Sequence, residues 1–289
     1  MKTKLFALLS LVGTIVIVVL FNHLTGYQLH TFALWFIIPV GGLLVGAAAA
    51  SGLFYGHLKE NKPVGVREYV IGAIMGLVAF YGINYVSYLT TYVDENKDIN
   101  YSFKGDPIST YELDGEPITF SKFQELTKES SSQSIYFHGR TTDVDTGKTA
   151  NSIIDVLQVL ASGLAGVLVG FAIAGNKRYC EKCKKYTKGK ILFKFDPDRY
   201  EEILNSMIAA ANDSSALQKI IAETKLSKEK PDAYIQVEID YCPDCHDSLL
   251  VTRVFKQNAK KEFEELTKFK QSIQISDEAS RAIVESLNI

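Results

Sequence analysis

Four cysteines stand as two pairs of identical spacing, Cys180-Glu181-Lys182-Cys183 and Cys242-Pro243-Asp244-Cys245. Pairs of this kind serve as disulfides, redox dithiols or metal ligands. A redox dithiol requires one Cys-x-x-Cys opening a helix in a thioredoxin-like unit, and neither pair has that context. Disulfides persist only in an oxidising compartment, and the charge distribution described below assigns both pairs to the reducing side. Together the pairs supply four thiolates, enough to close a tetrahedron around Zn²⁺ at about 2.3 Å with no position left open, which is the pattern of a structural ion. Zinc is the expected cofactor, held by Cys180, Cys183, Cys242 and Cys245, with His246 as a neighbour.

The segments flanking the pairs read as strands: Lys190 to Phe195 after the first, Ala233 to Asp240 leading into the second and Ser248 to Phe255 leaving it. Three strands of one small antiparallel sheet around two Cys-x-x-Cys turns resemble the zinc-ribbon group of folds, in which each pair forms a knuckle. The resemblance covers the residues around the two knuckles and implies a metal, not an activity. The departure is the stretch from Lys184 to Tyr241 between the pairs, far longer than the roughly 15 to 20 residues of the compact motif. Helix fills that stretch. Asp196-Pro197 reads as a cap with proline at the first helical position, before Tyr200, Ile203, Leu204, Met207 and Ile208; Asp213 caps a second helix bearing Leu217, Ile220 and Ile221. Beyond the sheet, Asn258 to Ile273 reads as a helix with Phe263, Leu266 and Phe269 inside, after a hinge at Lys256 to Lys261, and Ser276 caps a last helix carrying Ala282, Ile283 and Leu287.

The rest of the chain has a different character. Of 289 residues, 47% are apolar and 22% charged, and mean hydropathy is +0.04. The apolar residues crowd into the first 93 positions and into Ile153 to Ala174, which excludes a single soluble globule. A net charge of −2, from 31 basic and 33 acidic residues, gives no whole-chain argument for a nucleic-acid partner. Four segments are long and apolar enough for a bilayer core about 30 Å thick: Leu5 to Phe21, Phe32 to Phe54, Tyr69 to Val93 and Ile153 to Ala174. The first lacks a small-x-small cleavage site and reads as a retained helix, not a signal peptide. Pro39 is expected to kink the second.

Lys2 and Lys4, then Lys59, Lys62 and Arg67, then the run from Lys177 to Lys190 must share one side, which the positive-inside rule makes cytoplasmic. Both termini are therefore expected inside, in an integral, multi-pass protein of a bacterial cytoplasmic membrane. Asn22 to Thr31 and Asp94 to Asn151 face outward, with Tyr27, Trp35 and Tyr92 at the outer interface. Lys177, Arg178, Lys182, Lys184 and Lys185 form a basic cluster suited to anionic lipid. Only Gly175 to Tyr179 separate the last span from Cys180, a link of at most about 18 Å, so the first knuckle is expected at the headgroup surface.

Small residues recur at four-residue spacing: Gly42 and Gly46; Ala48, Gly52 and Gly56; Gly72 and Gly76; Ser162, Gly166 and Gly170. Such faces let helices approach closely, within one four-helix bundle or between copies in a homo-oligomer. Polar residues inside spans mark candidate sites. Here they are Tyr81, Asn84 and Tyr88, in a stripe with Tyr85 and Tyr92, together with Asp155 and Gln158 on the fourth span.

The outward segment reads as a small α+β cap. Its strand-like stretches are Tyr101 to Phe103, Ile108 to Leu113 before Asp114-Gly115, and Ile135 to Phe137. A short helix from Ser121 to Glu129 is capped by Ser121, with Phe123 and Leu126 on its apolar side. Asp143, Asp145 and Thr146 are too sparse for a calcium loop. His138 and Arg140 are a weak anion candidate, and Asn100-Tyr101-Ser102 is a glycosylation sequon.

The fold expected is a membrane α-helical protein. Residues 1–93 form transmembrane helices one to three, 94–151 an extracytoplasmic α+β insertion, 152–175 the fourth span and 176–289 a cytosolic α+β zinc-ribbon-like domain. No nucleophile, carboxylate pair or open metal site suggests an enzyme. Two roles fit: an adaptor or sensor presenting the zinc domain to a cytosolic protein, or an oligomeric transport or pore-forming protein gated through that domain.

Overall fold

The computed structural model describes residues 2–34, 38–95, 99–100, 103–113, 115–130, 132–137, 140–145, 147–175, 177–224, 226 and 231–286. Trp35, Tyr101, Ser102, Asp114, His138, Thr146 and Leu287, all named above, lie outside these residues. Two compact units divide the chain, Met1–Asn176 and Lys177–Ile289.

The first unit is built on four helices long and apolar enough to cross a membrane: α1 (Lys2–Thr25), α2 (Val40–Lys59), α3 (Val66–Leu89) and, after a short helix α4 (Phe120–Ser130), α5 (Gly147–Gly170), which runs on as a π turn over Phe171–Gly175. α1 ends at Gly26, whose φ of 75° is left-handed and whose N–H returns to the Asn22 carbonyl at 2.8 Å, a stop that glycine adopts without steric cost. Pro39 does not kink a helix. It precedes one, since α2 begins at Val40 and the segment expected to open it forms instead a bridge between Leu34 and Ile38. Proline lacks an N–H that the first turn would leave unpaired anyway, so it is favoured at a helix start and costly inside. At α3 the Glu68 carboxylate accepts from the Gly65 N–H at 2.9 Å.

The small-residue faces meet inside the chain. A Cβ on Gly46 of α2 would collide with the Ser162 carbonyl of α5, and so would one on Gly76 of α3. Ser162 is fully buried between them, its hydroxyl donating to the Gly76 carbonyl at 2.7 Å. Gly72 and Gly166 oppose each other in the same way, and Gly52 lies on the backbone of Phe6. With backbones this close, dispersion and polar contacts hold the helices together.

Between α3 and α5 the chain forms β1 (Tyr92–Val93), β2 (Ile99–Asn100), β3 (Asp106–Pro107), β4 (Glu112–Leu113), β5 (Glu116–Pro117), β6 (Ser132–Phe137) and β7 (Arg140–Asp145). They make a three-stranded sheet of order β2-β1-β3 and the hairpins β4-β5 and β6-β7. Tyr88 of α3, Val93, Ile108 and Ile118 are its core, with Phe120, Phe123 and Leu126 of α4 against them. Four local expectations are corrected. Phe103 is not in a strand, having φ 57°. Ile108 to Leu113 is broken, its first half a 3-10 turn that turns Ile108 into the core. Ser121 does not cap α4: the helix starts at Phe120, and Thr119 accepts from the Lys122 N–H at 3.4 Å. Asp143 and Asp145 lie in strand β7, not in a loop.

The second unit begins with a short hairpin, β8 (Tyr179–Cys180) and β9 (Lys185–Tyr186), followed by β10 (Lys188–Phe195), α6 (Tyr200–Ala209), α7 (Ser214–Glu223), β11 (Ala233–Tyr241), β12 (Ser248–Gln257), β13 (Phe263–Glu265), β14 (Gln271–Ile275) and α8 (Asp277–Ser286). The expected antiparallel trio β10-β11-β12 is present, and β13 and β14 both pair with β12 to make five strands. Alternation along β11 turns Ile235, Val237, Ile239 and Tyr241 to one face, where they meet Ile203 and Met207 of α6, Leu217 of α7 and Ile283 of α8. Asp213 caps α7, accepting from the Ser215 and Ala216 N–H groups, and Ser276 accepts from Ala279 before α8. Asp196 makes no side-chain cap; Pro197 opens a 3-10 turn that leads into α6.

The helix expected over Asn258 to Ile273 is not formed. The Asn258 side chain accepts from the Lys260 and Glu262 N–H groups and folds the supposed hinge into a tight turn, so the chain comes back along β12. Phe263, Leu266 and Phe269, spaced like a helix face, remain 39%, 36% and 53% exposed. The open edge of β12 outweighs local periodicity, because main-chain pairing satisfies backbone groups along most of it.

Candidate metal centre

Each cysteine pair occupies a reversal of the chain, the first within the β8-β9 hairpin and the second between β11 and β12. The two turns share one backbone form. The residue after the second cysteine is left-handed in both, Lys184 at φ 54° and His246 at φ 59°. The first cysteine pairs with the residue five positions on, Cys180 with Lys185 across the hairpin and Cys242 N–H with the Asp247 carbonyl at 3.0 Å. These turns aim all four sulfurs inward.

The four Sγ atoms lie within 4.8 Å of one another, and all four cysteines are free thiols. Cys180 Sγ and Cys245 Sγ are 3.6 Å apart; a tetrahedron with metal–sulfur bonds of about 2.3 Å has edges of about 3.8 Å. Cys180 and Cys242 are buried, and Cys183 and Cys245 half-buried. Backbone N–H groups point at the sulfurs. Those of Cys183 and Lys182 hold the Cys180 thiol below its ordinary pKa, while the hydrogen bond with Cys245 and desolvation push Cys183 up to about 12. Four thiols this close cannot all ionise unless a cation neutralises them, so the donor set fits one bound metal ion.

Ion pairs join the two turns. Lys185 Nζ meets Asp244 Oδ2 at 2.7 Å, and Arg178 Nη2 meets Asp247 Oδ2 at 2.6 Å. Asp247 also accepts from Gln274 at 2.9 Å, which ties the second turn to β14. The basic cluster is thus partly committed to acids, with Lys184 paired to Glu181 at 2.9 Å; Lys177 and Lys182 belong to the same stretch. His246 is not among the clustered donors. Asp247→Asn is expected to leave the fold intact and weaken metal binding at least about tenfold, as loss of supporting partners does at other metal sites. Competition against a chelator measures it, and unchanged affinity would show the ion pairs to be incidental.

No model of a known protein family, no characterised protein and no solved structure matches the chain.

The polar residues singled out on α3 and α5 separate into three environments. Tyr81 is half exposed on the outer surface of the helices. Tyr88 is buried, its hydroxyl donating to the Ile118 carbonyl at 2.9 Å. Asn84, Asp155 and Gln158 converge on one cavity, where His30, Asn22 and Lys128 join them. Gln158 is fully bonded: its Oε1 accepts from Gly42 N–H at 2.6 Å and its amide nitrogen donates to the Thr31 and Phe32 carbonyls. Asp155 pairs with Lys128 of α4 at 2.9 Å.

His30 and Lys128 were not legible as site residues. His30 lies in a connection conspicuous only for lacking Lys and Arg, and Lys128 in a short surface-like helix; only the folded chain brings them to α5. The Leu29 N–H donates to Asn22 Oδ1, which turns the Asn22 NH₂ toward His30 Nδ1 at 3.4 Å, while His30 Nε2 faces Asn84 Oδ1 at 3.2 Å. That wiring fits neutral imidazole with the proton on Nε2. Burial agrees with it, holding the pKa of His30, which lies between the first two long helices, to about 4.

Proposed function

We propose that the chain is a multi-pass membrane protein that presents a cytosolic, zinc-ordered domain to a soluble protein partner, as an adaptor or sensor with no catalytic step of its own. In this reading α1, α2, α3 and α5 form a transmembrane bundle, both termini are cytoplasmic and the insertion lies outside. The observation that carries it is the convergence of four thiols, and nothing but thiols, in the unit that follows four apolar helices. Four thiolates in a tetrahedral arrangement select zinc or iron. With every coordination position filled by protein, the ion orders the two turns and leaves no place for a substrate or an activated water. Lys177 and Lys182, in the basic stretch after the fourth span, supply attraction to anionic lipid of about 1 kcal/mol each near the surface.

The second reading, an oligomeric transport or pore-forming protein gated through the zinc domain, draws on the polar cavity. Against it, Gln158 is bonded across the side of that cavity facing α2, and the glycine faces that would serve oligomer contacts are occupied by helices of the same chain.

Topology is tested by labelling with a membrane-impermeant maleimide. Glu112→Cys is expected to react in intact cells and Gly189→Cys only after permeabilisation. Reaction of Gly189→Cys in intact cells would overturn the cytosolic assignment and, with it, the adaptor role. Metal analysis of the purified chain distinguishes zinc from iron.

A further inference from the structure

The cavity in the first unit is left unused by the zinc reading and stands independently of it. It has a volume of ≈ 80 Å³, room for about five to eight waters. α1, α3, α4 and α5 and the α1–α2 connection all contribute to its wall. Empty cavities in proteins are lined by apolar groups, and a polar one is occupied. This wall carries amides from Gln28, Gln124 and Asn84 and hydroxyls from Ser87 and Thr127.

Among the described residues its formal charges come from Lys128 and Asp155, joined at 2.9 Å and still 33% and 28% exposed, so their sum is zero. With His30 wired as the neutral imidazole, no other described residue of the wall offsets a charged guest. An anion bound to Lys128 would strand the Asp155 carboxylate, and a cation bound to Asp155 would strand the Lys128 ammonium. Either leaves an uncompensated charge in a partly desolvated site. A guest with one charge of each sign instead replaces a single ion pair by two. Lys128 and Asp155 are both partly exposed, so a small guest can reach the ion pair from solvent.

We propose that this cavity binds a small zwitterion of the α-amino-acid class, its ammonium on Asp155 and its carboxylate on Lys128, with the surrounding amides and hydroxyls taking the remaining polar hydrogens. Charge balance disfavours ions of a single sign.

The test is titration calorimetry on the full-length, metal-loaded chain in detergent, with glycine, L-alanine and L-serine as probes and acetate and methylammonium as single-charge controls, each to about 10 mM. At least one amino acid is expected to bind, with neither control matching it. Asp155→Asn and Lys128→Gln should each weaken that binding at least about tenfold. Gln124→Trp, which fills the cavity from a partly exposed helix position and keeps the ion pair, should abolish it. If the charge variants fail to fold, as judged by their melting transitions, Gln124→Trp decides. The proposal is overturned if none of the three amino acids binds, if acetate or methylammonium binds as tightly, or if binding survives the substitutions.

Discussion

Cys242→Ser in the full-length chain is expected to lower the bound metal from one ion per chain to none and to destabilise the second unit by about 3–5 kcal/mol. Cys242 is fully buried at the end of β11, so an unpaired serine hydroxyl there has no access to water. In small zinc-finger peptides the ion supplies on the order of 10–16 kcal/mol, nearly all of it folding free energy. The loss here is smaller because the sheet and α6 to α8 enclose a hydrophobic core that does not depend on the metal. A loss of this size lowers the melting temperature of the unit by roughly 15 °C or more, while the transition of the helical unit stays in place. Acid should act in the same direction, since protons compete with the metal for thiolates and loading falls as pH falls. Full metal content in Cys242→Ser would remove this residue from the site.

Gly46→Leu is the second large effect, at a cost of at least about 3 kcal/mol. The new side chain has no rotamer that avoids the Ser162 backbone, because the clash begins at Cβ. α2 and α5 must separate at this crossing. Gly13 is the internal control: a Cβ there meets nothing within 4 Å, so Gly13→Leu, also in a long apolar helix, should be close to neutral. Thermal unfolding in detergent compares the two. Equal stability of both variants would mean that the helices are not held together by these close approaches.

What was legible in the sequence is what depends on short range. The ligand set is fixed by two local turns, and the turns by residues within five positions of each cysteine. The four apolar helices are legible because length and composition alone define them. α7 announces itself through Asp213, whose carboxylate caps the first turn. Two of the failures, the edge of β12 and the cavity, share a long-range cause. Phe263, Leu266 and Phe269 mimic a helix face, yet the segment is decided by an edge of β12 supplied from elsewhere in the chain; the alternation Gln271-Ser272-Ile273-Gln274-Ile275 was the overlooked signal. Pro39 was read as a perturbation of a helix already begun, whereas its position at the end of a short bridge makes it the start. The cavity was half visible, as Asn84, Asp155 and Gln158, but its charge balance depends on Lys128, which reaches Asp155 only through the docking of α4.

The pairing of both β13 and β14 with β12 governs how the second unit can be approached. A ten-residue strand at a sheet border would be a template for another chain's backbone, whether a partner's or that of a misfolded neighbour. Dividing that border between two short strands removes the long template. The opposite border, β10, is irregular between Ile191 and Phe193 and carries Lys188, Lys190 and Lys194, features that discourage strand addition. The sheet is therefore poorly suited to recognition by β-augmentation. Whatever docks on this unit must read side chains.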